Sequence, residues 1–300
     1  MVARPALTAP LLMLGASFLF ATMGVCVKLA SAHYGTGEIV MYRGLIGLLF
    51  IAVLTRWQGG SLRTQVPMMH AWRAIVGVSA LMLWFFSIGR LPLATAVTLN
   101  YMSSVWMALF LIGGAVLLGA ARVDGRLVAT VLAGFLGVAL VLQPSLERDQ
   151  AVGGLAGLLS GMLSALAYLQ VTALGRAGEP EPRIVFYFSL GSLLAGAVWA
   201  ALGGLHGHTW PGAALLLATG LLATSAQIMM TRAYAIGRTL SNASLQYLGI
   251  GFSFVYGVLL FDDPVTWLAI CGMVLIVGAG LAATLLRQQA APSTTSPNES

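Results

Sequence analysis

Ile88-Gly89-Arg90 leads into Leu99-Asn100-Tyr101, and far along the chain Ile236-Gly237-Arg238 leads into Leu245-Gln246-Tyr247. The first triplets lie 148 positions apart and the second 146, so Leu91-Pro92 reads as a two-residue insertion in the first copy. Other matches carry nearly the same offset. Gly15 with Ala21 finds Gly161 with Ala167, 146 positions on, and Ile39-Val40-Met41-Tyr42 finds Ile184-Val185-Phe186-Tyr187, 145 on. Ala133-Gly134 and Cys271-Gly272 sit in comparable places as a weaker pair. The chain is an internal duplication.

What is duplicated follows from composition. Across 300 residues, 59% are hydrophobic and 8% charged, too little charge to cover a water-soluble surface. A membrane-crossing helix needs roughly 20 mainly apolar residues. Apolar runs bounded by turns or charges predict spans at 10–31, 37–55, 70–89, 93–118, 126–144, 152–174, 184–203, 211–231, 241–261 and 266–287. The first run resembles a secretory signal, with Arg4 ahead of it and Ala30-Ser31-Ala32 behind, but its apolar part is long and it takes part in the repeat, so a retained helix is expected.

The expected fold is an all-α membrane protein of ten transmembrane helices in two five-helix repeats, residues 1–146 and 147–288, followed by a disordered cytoplasmic tail, 289–300. Because five is odd, the second copy enters the membrane upside down, an inverted-topology repeat. With the N-terminus inside, the cytoplasmic ends carry Arg4, Arg56, Arg63, Arg73, Arg122, Arg126, Arg176, Arg183, Arg232, Arg238 and Arg287, against Arg90 and Arg148 outside. The bias of basic residues to the inside therefore places both termini in the cytoplasm. A single lysine against fourteen arginines fits a GC-rich bacterial genome and a location in the cytoplasmic (inner) membrane.

Several function classes fall away. The net charge of +6 is scattered between apolar runs, not gathered into a nucleic-acid patch. No nucleophile motif, zinc motif or phosphate loop is present, so no enzyme, metal or cofactor is expected. Cys26 and Cys271 read as packing residues, and His206 and His208 as a solvated loop pair.

Polar side chains inside apolar helices are costly unless they face protein or water, which makes them the informative class. Asn100 shares a face with Ala96 and Ser104, and Gln246 with Asn242, Gly249 and Ser253. Thr224, Gln227, Thr231 and Tyr234 form one further stripe, and Ser160, Ser164 and Tyr168 another. Such residues serve either as interhelical hydrogen-bonding glue or as a binding surface. Lys28 and Arg43 each lie a turn or more inside a helix end, where they either snorkel or meet a substrate anion, and Glu38 is placed to neutralise one of them. The candidate substrate-binding residues are Asn100, Tyr101, Tyr168, Gln227, Gln246, Tyr247, Lys28 and Arg43. No acid stands at mid-helix to carry a proton, and His33, His70, His206 and His208 sit near ends or in loops. Gly153, Gly157 and Gly161 predict close helix packing, while Gly249 and Gly251 permit bending.

Ile236-Gly237-Arg238-Thr239, then Ser241-Asn242-Ala243-Ser244-Leu245, then Leu260-Phe261-Asp262 before a last apolar helix, resemble the drug/metabolite transporter superfamily. More narrowly they resemble its EamA-type exporters, which include aromatic amino acid exporters. The resemblance implies a central cavity lined by helices one, three, four, six, eight and nine, and alternating access. The chain departs from the family where Ser103-Ser104 and Gly249-Ile250-Gly251 replace a usual proline and Asp262 a usual glutamate; Ala120 stands in the corresponding place of the first copy. The expected function is export of amino acids, aromatic and other neutral ones favoured, and similar small metabolites, with uniport as the mode that needs no buried acid. The alternatives are an organic-anion or sugar-phosphate carrier, and a non-transporting subunit that docks a partner. Expected partners are a small-molecule substrate and membrane lipid, with the chain a monomer or homodimer.

Overall fold

The computed structural model describes residues 5–103, 105, 106, 109, 110, 113, 125–142, 148–236 and 247–289. Gln246, Asn242, Arg238, Ser104, Ala120 and the predicted tail from 290 onward lie outside the described residues. Within them the chain is helical: α1 (Pro5–Ala30), α2 (Thr36–Trp57), α3 (Pro67–Ile88), α4 (Leu93–Tyr101), α5 (Gly125–Leu142), α6 (Arg148–Arg176), α7 (Glu181–Gly203), α8 (Trp210–Ile236), α9 (Leu248–Phe261) and α10 (Trp267–Gln289). Six of these, α1 to α3 and α6 to α8, hold apolar spans of 22 to 27 residues, long enough to cross a bilayer. Trp57, Trp210 and Trp267 stand at helix ends with exposures of 84%, 92% and 78%, as amphipathic rings at an interface do.

The most extensive packings come in mates. α1 lies against α8 as α6 lies against α3; α2 lies on α8 as α7 lies on α3; α1 meets α9 as α6 meets α4. α2 with α7, α4 with α9 and α5 with α10 are their own counterparts.

In a bilayer apolar burial does not drive helix association, so close backbone approach must. Glycine supplies it where α2 crosses α7. A Cβ on Gly44 would strike the Leu193 backbone, one on Gly196 the backbone of Met41, and one on Gly37 the Ala200 nitrogen at 2.7 Å. The predicted glycine stripe of α6 acts likewise: a Cβ on Gly157 would meet Ser87 Oγ at 2.8 Å, and one on Gly161 the Leu99 carbonyl at 2.6 Å.

Two departures from expectation bear on the site. The fourth helix, expected to run unbroken over 93–118, is interrupted at Met102 directly after Tyr101, although no proline is there. Gly249, expected to permit bending, instead makes room, since a Cβ there would meet the Tyr101 hydroxyl at 2.7 Å. At the far end of α9, Asp262 takes a left-handed φ of 50°, turning the chain so that Asp263 folds back beside Gly257.

Loops at the two ends of the bundle are tied by buried carboxylates. Glu38, in the first turn of α2, does not neutralise Lys28 or Arg43. Its oxygens accept the backbone N–H of Gly35 (2.9 Å) and of His206 (2.9 Å), and share a 2.6 Å hydrogen bond with His206 Nδ1. His208 packs against Tyr34 and Tyr42, with ring centroids 5.4 and 5.2 Å away, so the histidine pair of the α7–α8 loop is engaged and not merely solvated. At the other end Glu179, in the α6–α7 loop, binds Thr64 Oγ1 (3.0 Å), His70 Nε2 (2.9 Å) and Arg183 Nη1 (3.1 Å). Arg183 in turn donates to the Ser61 carbonyl at 3.0 Å. In both cases the connection between the first two helices of one half grips the second-to-third connection of the other.

Gly196→Val is expected to destabilise by about 1–3 kcal/mol through overpacking against α2. The thermal midpoint in detergent reads this, with Gly278→Ala, which has no neighbour within 4 Å, as the neutral control. A second test concerns pH. Burial pushes the Glu179 carboxyl up, but the bonds from His70, Thr64 and Arg183 outweigh it and hold the group below the usual glutamate range. A depressed carboxylate contributes stability above its unfolded value and loses it as pH falls through its folded value. The melting-temperature gap between wild type and Glu179→Gln is therefore expected to be full at neutral pH and to close below about pH 4.3.

Candidate functional site

The break in α4 decides where its polar groups go. Asn100 is buried, and its Nδ2 donates to Ser160 Oγ (2.8 Å) and Ser164 Oγ (3.1 Å) of α6. The amide thereby pins the last turn of α4 to α6, the same contact that Gly161 permits. Tyr101 and Tyr247 meet edge to face with ring centroids 6.3 Å apart. The repeated tyrosines thus stand together where α4 breaks and α9 begins.

On the opposite side, Arg43 lies beside Gly44 on α2, with Gly47 on the same face fitted against Ser189 and Thr224. This close packing carries the arginine inward, away from the helix end, and its Nη2 donates to Gln227 Oε1 of α8 at 3.0 Å. The hydroxyls of Thr224 and Thr231 donate to carbonyls of their own helix, so among the described side chains of that stripe Gln227 is the one that reaches across to Arg43.

These groups surround a cavity of about 80 Å³ between the helices. Arg43, Asn100, Tyr101, Tyr168 and Gln227 line it, five of the eight residues singled out from the sequence. Tyr247 stands behind Tyr101, and Gln246 is outside the described residues. Lys28 is elsewhere. Its Nζ pairs with Asp263 Oδ1 at 2.9 Å and donates to the Leu91 carbonyl at 3.3 Å, while Asp263 Oδ2 accepts the Leu93 N–H at 2.8 Å. Lys28 therefore joins α1, the start of α4 and the end of α9. The lining also adds to the expected helix set: α2 and α7 contribute Arg43 and Phe188, while the described part of the ninth helix, from Leu248 on, contributes none and 241–246 lie outside the described residues.

Arg73 was missed as a site residue. Read as one of the cations at the cytoplasmic end, it is 5% exposed and lines the cavity. Its signal was a face: Arg73, Gly77, Ala80 and Trp84 follow one helical stripe, small residues opening space beside a cation and an indole. Both guanidiniums lie over the Phe188 ring, Arg43 Cζ 5.1 Å and Arg73 Cζ 4.3 Å from its centroid. Nε of Arg43, and Nε and Nη1 of Arg73, are buried without a hydrogen-bond partner. Among the described residues neither arginine has a carboxylate partner, and no acid lines the cavity. Placing one arginine at mid-helix costs about 2.5–3.5 kcal/mol on the insertion scale. A cation–π contact returns about 0.5–2 kcal/mol. The cation–π contacts do not offset that cost, which makes the cavity the candidate site.

A second, larger space of about 520 Å³ opens at the Glu38 end, lined by Tyr34, Glu38, Phe86, Arg90, Trp199 and His206 among others. Phe86 in the vestibule and Trp84 in the cavity lie within one turn of each other on α3.

Comparison with known proteins points to a transporter. Residues 7–143 match the EamA-like transporter family. The chain is 34% identical over 270 residues to the pseudopaline exporter CntI of Pseudomonas aeruginosa (strain UCBPP-PA14), covering 89% of this chain and 92% of that one. It is 24% identical over 279 residues to an uncharacterized transporter of Helicobacter pylori (strain ATCC 700392 / 26695), covering 90% and 92%, and 27% identical over 240 residues to a riboflavin transporter of Rhizobium johnstonii, covering 79% and 77%. A crystal structure with 19% identity superposes with a TM-score of 0.62 over 95% of this chain and 100% of its own, a likeness of fold. With its apolar helices, a cavity between them that two arginines line, and these relatives, the chain belongs to the EamA-like transporter family: it is a multi-pass membrane transporter of small molecules, not an enzyme.

Proposed function

We propose that this protein exports amino acids and similar small carboxylate-bearing metabolites across the cytoplasmic membrane by alternating access. The observation that carries the reading is Arg43, buried in the cavity, held by Gln227 and still offering an unpartnered N–H. A substrate carboxylate would meet this guanidinium, which presents donors in a planar fork suited to that group. Asn100, Tyr101 and Tyr168 would face the rest of the molecule. Two relatives are named for unlike solutes, pseudopaline and riboflavin, so family membership supports small-molecule export while the cavity chemistry points to the carboxylate.

The mechanism rests on an inverted repeat of ten crossing helices, with both termini in the cytoplasm. The sequence offsets and the mated packings support it. A cavity of about 80 Å³ holds only a few waters, so helices must part to admit a metabolite. The loop ties at Glu38 and Glu179 would then close the two ends in turn. With both acids engaged there and none among the described residues lining the cavity, uniport is the coupling mode that fits.

Counterflow of labelled carboxylate-bearing metabolites into proteoliposomes tests this reading. Arg43→Gln and Gln227→Leu are each expected to lower flux roughly tenfold or more, equivalent to about 1.4 kcal/mol of lost substrate interaction. Lys28→Ala is expected to lower the melting temperature while leaving the substrate KM unchanged. Absence of flux for every amino acid and organic acid tried would overturn the assignment.

A further inference from the structure

We propose that the cavity selects a dianionic headgroup, two carboxylates or one phosphate, divided between Arg43 and Arg73. The inference rests on the export reading above and narrows its substrate class.

Three observations converge. The guanidiniums come from different helices, α2 and α3, and both stand near one ring, that of Phe188 on α7. Each is 5% exposed, and each keeps buried N–H groups without a partner: Nε on Arg43, and Nε with Nη1 on Arg73. Among the described residues no carboxylate lines the space they share, so the described lining carries two positive charges. A single carboxylate would leave one guanidinium uncompensated in a low-dielectric enclosure, whereas a dianion brings the site to neutrality.

The two arginines have unequal roles. Arg43 is fixed by its bond to Gln227, and Arg73 lies against Gly77. Arg43 therefore provides the carboxylate contact that any acidic substrate uses. Arg73 supplies the second charge and sets the preference for the dianion. A neutral amino acid would satisfy the first arginine alone.

The test compares four labelled probes in proteoliposome counterflow: malate and succinate as dicarboxylates, glycerol 3-phosphate as a phosphate, and phenylalanine as a neutral amino acid. In the wild type at least one dianionic probe is expected to exceed phenylalanine by about tenfold or more. In Arg73→Gln that advantage should vanish, dianion flux falling about tenfold further than phenylalanine flux, and Arg73→Lys should restore part of it. The two dicarboxylates against the phosphate separate the two sources of charge. Equal flux of phenylalanine and the dianions in wild type, or an unchanged preference in Arg73→Gln, would overturn the dianion proposal while leaving carboxylate export standing. Zero flux of all four would overturn both. If Arg73→Gln is not monodisperse, wild-type thermal shift with the same unlabelled probes decides: stabilisation by a dianion and not by phenylalanine supports the proposal, and equal or absent shifts overturn it.

Discussion

The close approach of α2 and α7 is the constraint on which the rest of the molecule depends. Helices in lipid gain little from burying apolar surface against each other, so two halves of one chain stay together only where their backbones come near enough for dispersion and small hydrogen bonds to act. Gly37, Gly44 and Gly196 make that possible by leaving no side chain in the way. The consequence is electrostatic as much as steric. Drawing α2 onto α7 sets Arg43 near the Phe188 ring and within reach of Gln227 on α8, a depth that an isolated helix could not tolerate for a guanidinium.

The interior follows from that placement. Bonds within and between helices satisfy the polar groups that merely hold the bundle together: Asn100 on the serines of α6, Thr224 and Thr231 on their own turns, and Lys28 on Asp263. The guanidiniums differ: Arg43 Nε and Arg73 Nε and Nη1 stay buried without a partner, and Trp84 Nε1 in the same lining joins them. What sets the arginines apart from the other unpartnered groups is their charge, whose burial costs more than that of a neutral donor.

Much of this was legible in the residues, and the failures have physical causes. The repeat needed only alignment of the chain with itself, and helical periodicity carried Asn100, Tyr101, Tyr168 and Gln227 to one interior because residues four apart share a face. Arg43 and Lys28 looked alike in sequence, each a cation near a helix end. What distinguishes them is a partner far along the chain, Asp263 for Lys28 and Gln227 for Arg43, and no local pattern reports such a pairing. Arg73 was hidden by its neighbours: a cation beside His70 and Trp72 at the start of an apolar run has the look of an interface anchor. The break at Met102 lacked its usual proline signal, and the grip of Glu38 on His206 depends on a contact 168 residues away.

The two end ties have a consequence for how such a carrier idles. They are equivalent by position but not by composition, since Glu179 holds an arginine, a histidine and a threonine, whereas Glu38 holds one histidine side chain and backbone amides. A duplicated architecture by itself would make the two faces degenerate. The unequal clasps lift that degeneracy, and they do so in loops that do not touch the cavity. Under the proposed alternating access, resting orientation and solute choice become separable traits: sequence drift in the clasps would retune which face stands open between cycles while the arginines would keep the cargo unchanged.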